Sequence, residues 1–237
     1  MNDYAGPREG GYRQEGYSRD TGYPREGGYP RKDGGYGGGF PRKEGGNRFV
    51  PKPVEPTHGV IYQPYAVTGN KDIAGEWLEW AKTMAPELDR RGFTLRTGGG
   101  GQPLEEAFES AAEHKEIHLP WKDFNQKESN YTRTHKDAEA LIRRAQPNYE
   151  SLKPAVQAIL NRNAAVVFGK DLRSPIRFMI TYTDDGVEMG KDRTSQTGFA
   201  GLPIVLAGWL HIPVFNLKNA DAAARLQRYI DACTIVQ

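Results

Sequence analysis

Residues 92–121 read GFTLRTGGGGQPLEEAFESAAEHKEIHLPW, and this stretch decides the fold. Residues 93–96 (FTLR) read as a short strand. Gly98 to Gly101 are four glycines in a row. Residues 103–113 carry apolar positions at helical spacing, with Pro103 in the first turn, where its missing N–H removes no hydrogen bond. Residues 116–119 (EIHL) are a second short strand, closed by Pro120-Trp121. Strand, glycine turn, helix and strand in this succession make a βαβ unit, which requires a parallel sheet.

The same alternation continues on both sides. Upstream, residues 60–67 (VIYQPYAV) form an apolar strand carrying Pro64. A turn at residues 68–72 leads into a helix over 73–91, with Ile73, Trp77, Trp80, Ala81, Met84 and Leu88 on one side and Gly92 at its end. Trp77 and Trp80 therefore read as core. Downstream, residues 122–131 form a polar surface excursion. Helices are expected over 134–145 and 151–161, strands over 164–168 and 176–183, a helix over 202–210, a strand over 212–217 and a last helix over 221–232. The expectation is an α/β domain over residues 57–237, a mostly parallel sheet flanked by helices.

Residues 1–56 follow different rules. Fourteen of the 28 glycines and six of the 12 tyrosines lie in the first 50 residues. GYRQEG, GYSRDTG, GYPREGG, GYPRKDGG and FPRKEGG succeed one another as a degenerate repeat. With almost no apolar side chains, this segment cannot offset its ordering entropy, and it reads as a disordered tail ending in a Pro-rich linker. Arg13, Tyr17, Arg19, Tyr23, Arg25, Tyr29, Arg31 and Tyr36 resemble RGG-type tails, whose guanidinium and phenol faces stack on unpaired bases of single-stranded DNA or RNA. The alternative is a solvated spacer. The first 50 residues hold nine Lys/Arg and seven Asp/Glu, which leaves 23 of each in the rest, so the folded part is neutral.

Several classes are excluded. No apolar run reaches the roughly 18–20 residues that cross a bilayer, and no secretory signal is expected. A single cysteine, Cys233, forms no internal disulfide and reads as packed. A reducing cytoplasm is the expected compartment, the host's if the chain is viral. His114 and His118 are four apart, but a helix-to-strand change between them should make them diverge, and no metal site is expected.

In a parallel sheet, ligands sit beyond the carboxyl ends of the strands. Three loops qualify. Thr68, Gly69 and Asn70 follow the first strand. Thr97, Gly98, Gly99, Gly100, Gly101 and Gln102 join a strand to a helix N-terminus, where bare amides and the helix dipole favour an anion. Arg193, Thr194, Ser195, Gln196 and Thr197 offer hydroxyls, a cation and an amide for phosphate, ribose or base. Glu105 and Glu109 share one helix face and are the candidates for acid–base work. No cofactor is certain, but a nucleotide-like ligand is expected.

The stretch from Gly92 to Trp121 resembles the SLOG superfamily, which unites recombination mediators of the Smf/DprA type with the LOG phosphoribohydrolases. It is most similar to bacteriophage members with the pattern SGGA-x-GAD-x-AFE-x-GA. Val167-Phe168-Gly169-Lys170-Asp171-Leu172, Thr183-Asp184-Asp185-Gly186 and Ile212-Pro213-Val214-Phe215-Asn216-Leu217 continue the likeness. The resemblance implies a Rossmann-like fold with a nucleotide or nucleotide-derived ligand over the glycine loop, and it carries family positions onto Gly99, Gly100, Glu105 and Glu109. The catalytic LOG signature is absent, so a binding role leads. A nucleoside-monophosphate phosphoribohydrolase, and a virion or assembly protein with a vestigial pocket, are the alternatives. A homodimer is expected from the family, with the apolar helix at 202–210 one surface for it.

Overall fold

A computed structural model of the chain describes residues 63–234. The repeats of the head, the Pro-rich stretch and the start of the first expected strand lie outside the described residues. Strand β1 (Gln63–Gly69) leads to α1 (Gly75–Arg90), β2 (Phe93–Thr97), α2 (Pro103–Ala111) and β3 (Lys115–Ile117). Then come α3 (Ala138–Ala145), α4 (Pro154–Phe168), β4 (Met179–Tyr182), α5 (Gly201–Gly208), β5 (Val214–Asn216) and α6 (Ala222–Thr234).

The five strands form one sheet in the order β3-β2-β1-β4-β5, every neighbouring pair parallel. From β1 the chain builds outward to β2 and β3, then returns to lay β4 on the other side of β1. The reversal opens a crevice at the carboxyl ends of β1 and β4, where Thr68 is in register with Thr181. The fold is thus α/β and Rossmann-like, as the sequence pattern requires.

Both faces of the sheet are covered, so β1, β2, β4 and β5 are almost wholly buried, while β3 at the edge is partly exposed. Tyr65, Val67, Phe93, Leu95, Phe178, Ile180 and Phe215 pack under α1, α2 and α6. Ala66, Met179 and Val214, one residue out of step on the same strands, pack under α3, α4 and α5. Tyr65 stacks on Phe178 with ring centroids 5.4 Å apart. Trp77 and Trp80 pack against this cluster, as their helical spacing predicts. Pro64 is tolerated as the second residue of β1, and its carbonyl accepts the N–H of Arg177 at 2.7 Å.

One expected element is wrong. Residues 164–168 are not a strand but the end of α4. Every residue from Arg162 to Phe168 is buried, so the run shows no 3.6-residue period and looks like a core strand. Gly169, with φ 83°, ends the helix. Arg162 therefore sits inside a buried helix rather than in a connecting turn. The helix at 202–210 is observed as α5, with Leu202, Ile204 and Leu206 buried within the chain's own core.

Candidate functional site

A cavity of about 120 Å³ opens at the carboxyl end of β1 and β2. Thr68 lines it from the end of β1, Gly98, Gly100 and Gln102 from the glycine loop, and Glu105 from the first turn of α2. Ile159, Leu160, Arg162, Asn163 and Val166 line it from α4, and Val67, Phe124, Phe199 and Pro203 complete the wall. Five of the residues singled out from sequence therefore converge: Thr68, Gly98, Gly100, Gln102 and Glu105.

Arg162 is the residue that sequence reading missed. It is 7% exposed, and among the described residues its one hydrogen bond runs from Nε to the Ile159 carbonyl at 3.3 Å. Its guanidinium occupies the space where a side chain at position 98 would begin. A methyl on Gly98 would lie 1.1 Å from Nη1 and 2.1 Å from Cζ. Gly98 is therefore glycine because an arginine lies against its backbone. Burial pulls the guanidinium below its ordinary pKa, against the attraction of Glu105 and Glu109. The signal in the sequence was Asn161-Arg162-Asn163 interrupting an otherwise apolar helical run, AILNRNAAVVF.

The two glutamates part company. The Glu105 carboxylate accepts the N–H of Gly100 at 3.0 Å and faces the cavity. Its pKa rises from 4.5 to about 7 in all, because burial, helped by the charge of Glu109, outweighs the lowering by Arg162 and by the hydrogen bonds from Gly100 and Thr68. The amide of Gly100 is thus engaged by Glu105, where sequence reasoning reserved it for a ligand. Glu109 accepts the Thr97 hydroxyl and an ion pair from Lys127, and it does not line the cavity. Lys127 also pairs with Glu106 at 2.6 Å. The polar excursion at 122–131 thereby folds back over the glycine loop: Asn125 Nδ2 donates to the Gly99 carbonyl at 2.8 Å. Asp123, Asn125 and Gln126 all have positive φ within this segment. Gly99 and Gly101 also have positive φ, 61° and 72°. Gln102, which precedes α2, leaves its buried Oε1 without a partner among the described residues.

The loop after β4 uses its hydroxyls internally. Thr194 and Thr197 Oγ1 donate to Asp185 Oδ2 at 2.7 and 2.5 Å, and Thr183 Oγ1 donates to Asp185 Oδ1 at 2.7 Å. Burial pushes Asp185 up, but these bonds outweigh it and hold its pKa at about 2. Asn70 Nδ2 donates to the Gln196 carbonyl at 2.8 Å and to Asp184 at 3.4 Å. Asn70, Thr194 and Thr197 are thus brought together as a clasp between the loops after β1 and β4. Gly69 packs tightly, since a Cβ there would lie 3.1 Å from the Tyr182 carbonyl. Arg193, Thr194 and Ser195 line a second cavity of about 400 Å³, with Gln146, Leu152, Val156, Leu160 and Phe199.

Other clusters carry less chemistry. A larger cavity, about 730 Å³, lies along the β5 edge, lined largely by apolar groups such as Met189, Val205, Trp209 and Ile212, and its Glu188 and Arg225 pair with each other. The smaller crevice cavity is the better candidate because buried groups of opposite charge converge there. Arg96, 1% exposed, donates Nε to Glu116 at 2.7 Å and Nη1 to the Ser174 carbonyl at 2.5 Å. His118 is buried beside Glu116, while His114 lies exposed near Asp89, so the two histidines diverge. Cys233 is partly buried against the core. Among the described residues no group of three or more His, Cys, Asp or Glu could hold a metal ion, and no helix is long and apolar enough to cross a membrane.

Fold and cavity together define a Rossmann-like α/β protein with an arginine and a glutamic acid buried at its crevice. A scan against protein-family models and searches of curated proteins and of solved structures find no match to the chain.

Proposed function

We propose that the chain is a phage-type SLOG protein that binds a nucleotide or nucleotide-derived ligand through its anionic group at Arg162. One observation carries this reading: a buried guanidinium, at the crevice of a parallel sheet, with one weak hydrogen bond among the described residues. Leaving a buried charge without a close partner is costly, and a planar guanidinium suits bidentate phosphate recognition. The glycine loop, the first turn of α2 and the partnerless Gln102 oxygen add donors and an acceptor around the same cavity. The direct test is isothermal titration of the purified full chain with inorganic phosphate and adenosine monophosphate. Saturable binding that Arg162→Ala abolishes is expected. Equal binding by wild type and variant refutes the site. Mass spectrometry of small molecules released from native protein on heating would identify the physiological ligand.

A second reading is favoured by Glu105. A carboxyl group whose pKa is about 7, beside a phosphate anchor, is matched to proton transfer at neutral pH. In an N-glycosidic hydrolase it would take a proton from the attacking water as the nucleobase leaves. Glu105→Gln should then abolish release of free base while Arg162-dependent binding persists. No release of base by wild type leaves the binding role alone. The Arg/Tyr/Gly head adds a proposed single-stranded nucleic-acid arm. Deleting residues 1–50 should weaken binding to a single-stranded oligonucleotide in a salt-dependent way. Identical affinity with and without the head makes it a spacer.

A further inference from the structure

The cavity at Arg162, about 120 Å³, is smaller than sites that enclose a whole small molecule, which run to roughly 300–1,000 Å³. It fits one anionic group and little more. The rest of any ligand must continue beyond it. Leu160 and Phe199 line both this cavity and the 400 Å³ cavity on the side of Arg193 and Ser195, so the two adjoin across these side chains. Together they fall within the range of a complete ligand site.

Phe199 is 68% exposed. A lone exposed aromatic is ordinary on a protein surface. This one borders both cavities, and its backbone is clamped on the side that leads into it. Thr194 and Thr197 are tied to Asp185, the Gln196 carbonyl is held by Asn70, and a Cβ on Gly198 would lie 2.7 Å from Asn70 Oδ1. The ring is a flat apolar platform on a fixed support between an anion anchor and an outer cleft. That outer cleft holds Arg193 and Ser195 beside Leu152 and Val156, a mixture suited to a second polar, ring-bearing unit.

We infer that the ligand is a dinucleotide-class molecule. One phosphate lies at Arg162, a base stacks on Phe199, and a second nucleoside-like unit lies in the outer cleft. The inference rests on the proposed anion site and extends it. The test compares inorganic phosphate, adenosine monophosphate, the linear dinucleotide pApA and a ten-nucleotide oligoadenylate on the full chain, by titration calorimetry. Wild type should bind pApA at least tenfold more tightly than adenosine monophosphate. Phe199→Ala should lower the pApA affinity roughly five- to hundredfold, the range for loss of base stacking on an aromatic ring, and Phe199→Trp should restore it. Unchanged pApA affinity in Phe199→Ala, or equal affinity of wild type for pApA and the monophosphate, overturns the inference while Arg162-dependent phosphate binding leaves the anion site standing. Much tighter binding of the ten-nucleotide strand than of pApA, lost in Phe199→Ala and so made at the cavities rather than by the head, overturns it in favour of a single-strand groove. Absence of binding to all four probes overturns both readings.

Discussion

Replacing Gly98 by alanine isolates the contact on which the site depends. Gly98 does not have a positive φ, so alanine meets no backbone strain there. The three heavy atoms nearest the new methyl all belong to Arg162, at 1.1 Å for Nη1, 2.1 Å for Cζ and 2.9 Å for Nε. These atoms end a flexible side chain, so the guanidinium should move while the loop stays. Stability should hold or rise slightly, since Gly→Ala at a compatible site gains about 0.4–1 kcal/mol. Binding should fall instead. A hydrogen bond to a charged group contributes about 1.5–3 kcal/mol, which corresponds to roughly a ten- to 150-fold loss in affinity. The assay is calorimetric titration of adenosine monophosphate against wild type, Gly98→Ala, Arg162→Ala and the double variant, with thermal melts of each. Both single variants act through one guanidinium, so the double variant should bind no worse than Arg162→Ala. Near-wild-type affinity in Gly98→Ala, or losses that add in the double variant, would refute the contact as the source of binding.

Three further outcomes are expected. Arg162→Met should raise the melting temperature as it removes binding, because a buried charge that forms no direct ion pair among the described residues, and whose desolvation outweighs the attraction of Glu105 and Glu109, leaves with it; each 1 kcal/mol gained adds roughly 2–4 °C for a chain of this size, and a lower melting temperature refutes it. Glu105 has a folded pKa of about 7 against 4.5 unfolded, so between those values the folded chain binds more protons than the unfolded one and stability falls as pH rises. Urea unfolding across pH 5–7 should show this slope in wild type and a flatter one in Glu105→Gln, and sulfate, whose charge is constant over this range, should bind wild type more weakly as pH passes 7. Glu116→Ala should destabilise by about 3–5 kcal/mol, because it removes a carboxylate that pairs with the fully buried Arg96 at 2.7 Å; a loss under 1 kcal/mol shows that the other contacts of Arg96 suffice.

The βαβ unit at 92–121 was legible because each of its parts has a local cause: Pro103 opens a helix, Gly92 closes one, and glycines join strand to helix. Four of the five strands fall where alternating or apolar runs end in turn residues, and the fifth begins at the edge of the described residues. The strand expected at 164–168 failed because a helix buried on all sides loses its periodicity, and that one error hid Arg162. The site was legible as loops but not as partners. Thr68, Gly98, Gly100, Gln102 and Glu105 converge because the sheet order brings the ends of β1 and β2 together. Glu109, Thr194 and Thr197 carry the right chemistry but spend it on Lys127 and Asp185, residues 18, nine and twelve positions away. Spacing along a chain shows which groups share a helix face, and it is silent on pairings that long-range folding makes.

The knot around Asp185 has a thermodynamic consequence for any ligand that reaches Phe199. Three hydroxyls and one carboxylate fix the segment that carries the ring during folding, so its conformational entropy is surrendered before a ligand arrives. Association then needs little further ordering on that wall, which favours fast, nearly rigid docking. Because the carboxylate is held at a pKa of about 2, that preorganisation persists through mild acid. Severing the knot would leave every atom of the platform present and still weaken association, with the loss written in the entropy of binding rather than in its contacts.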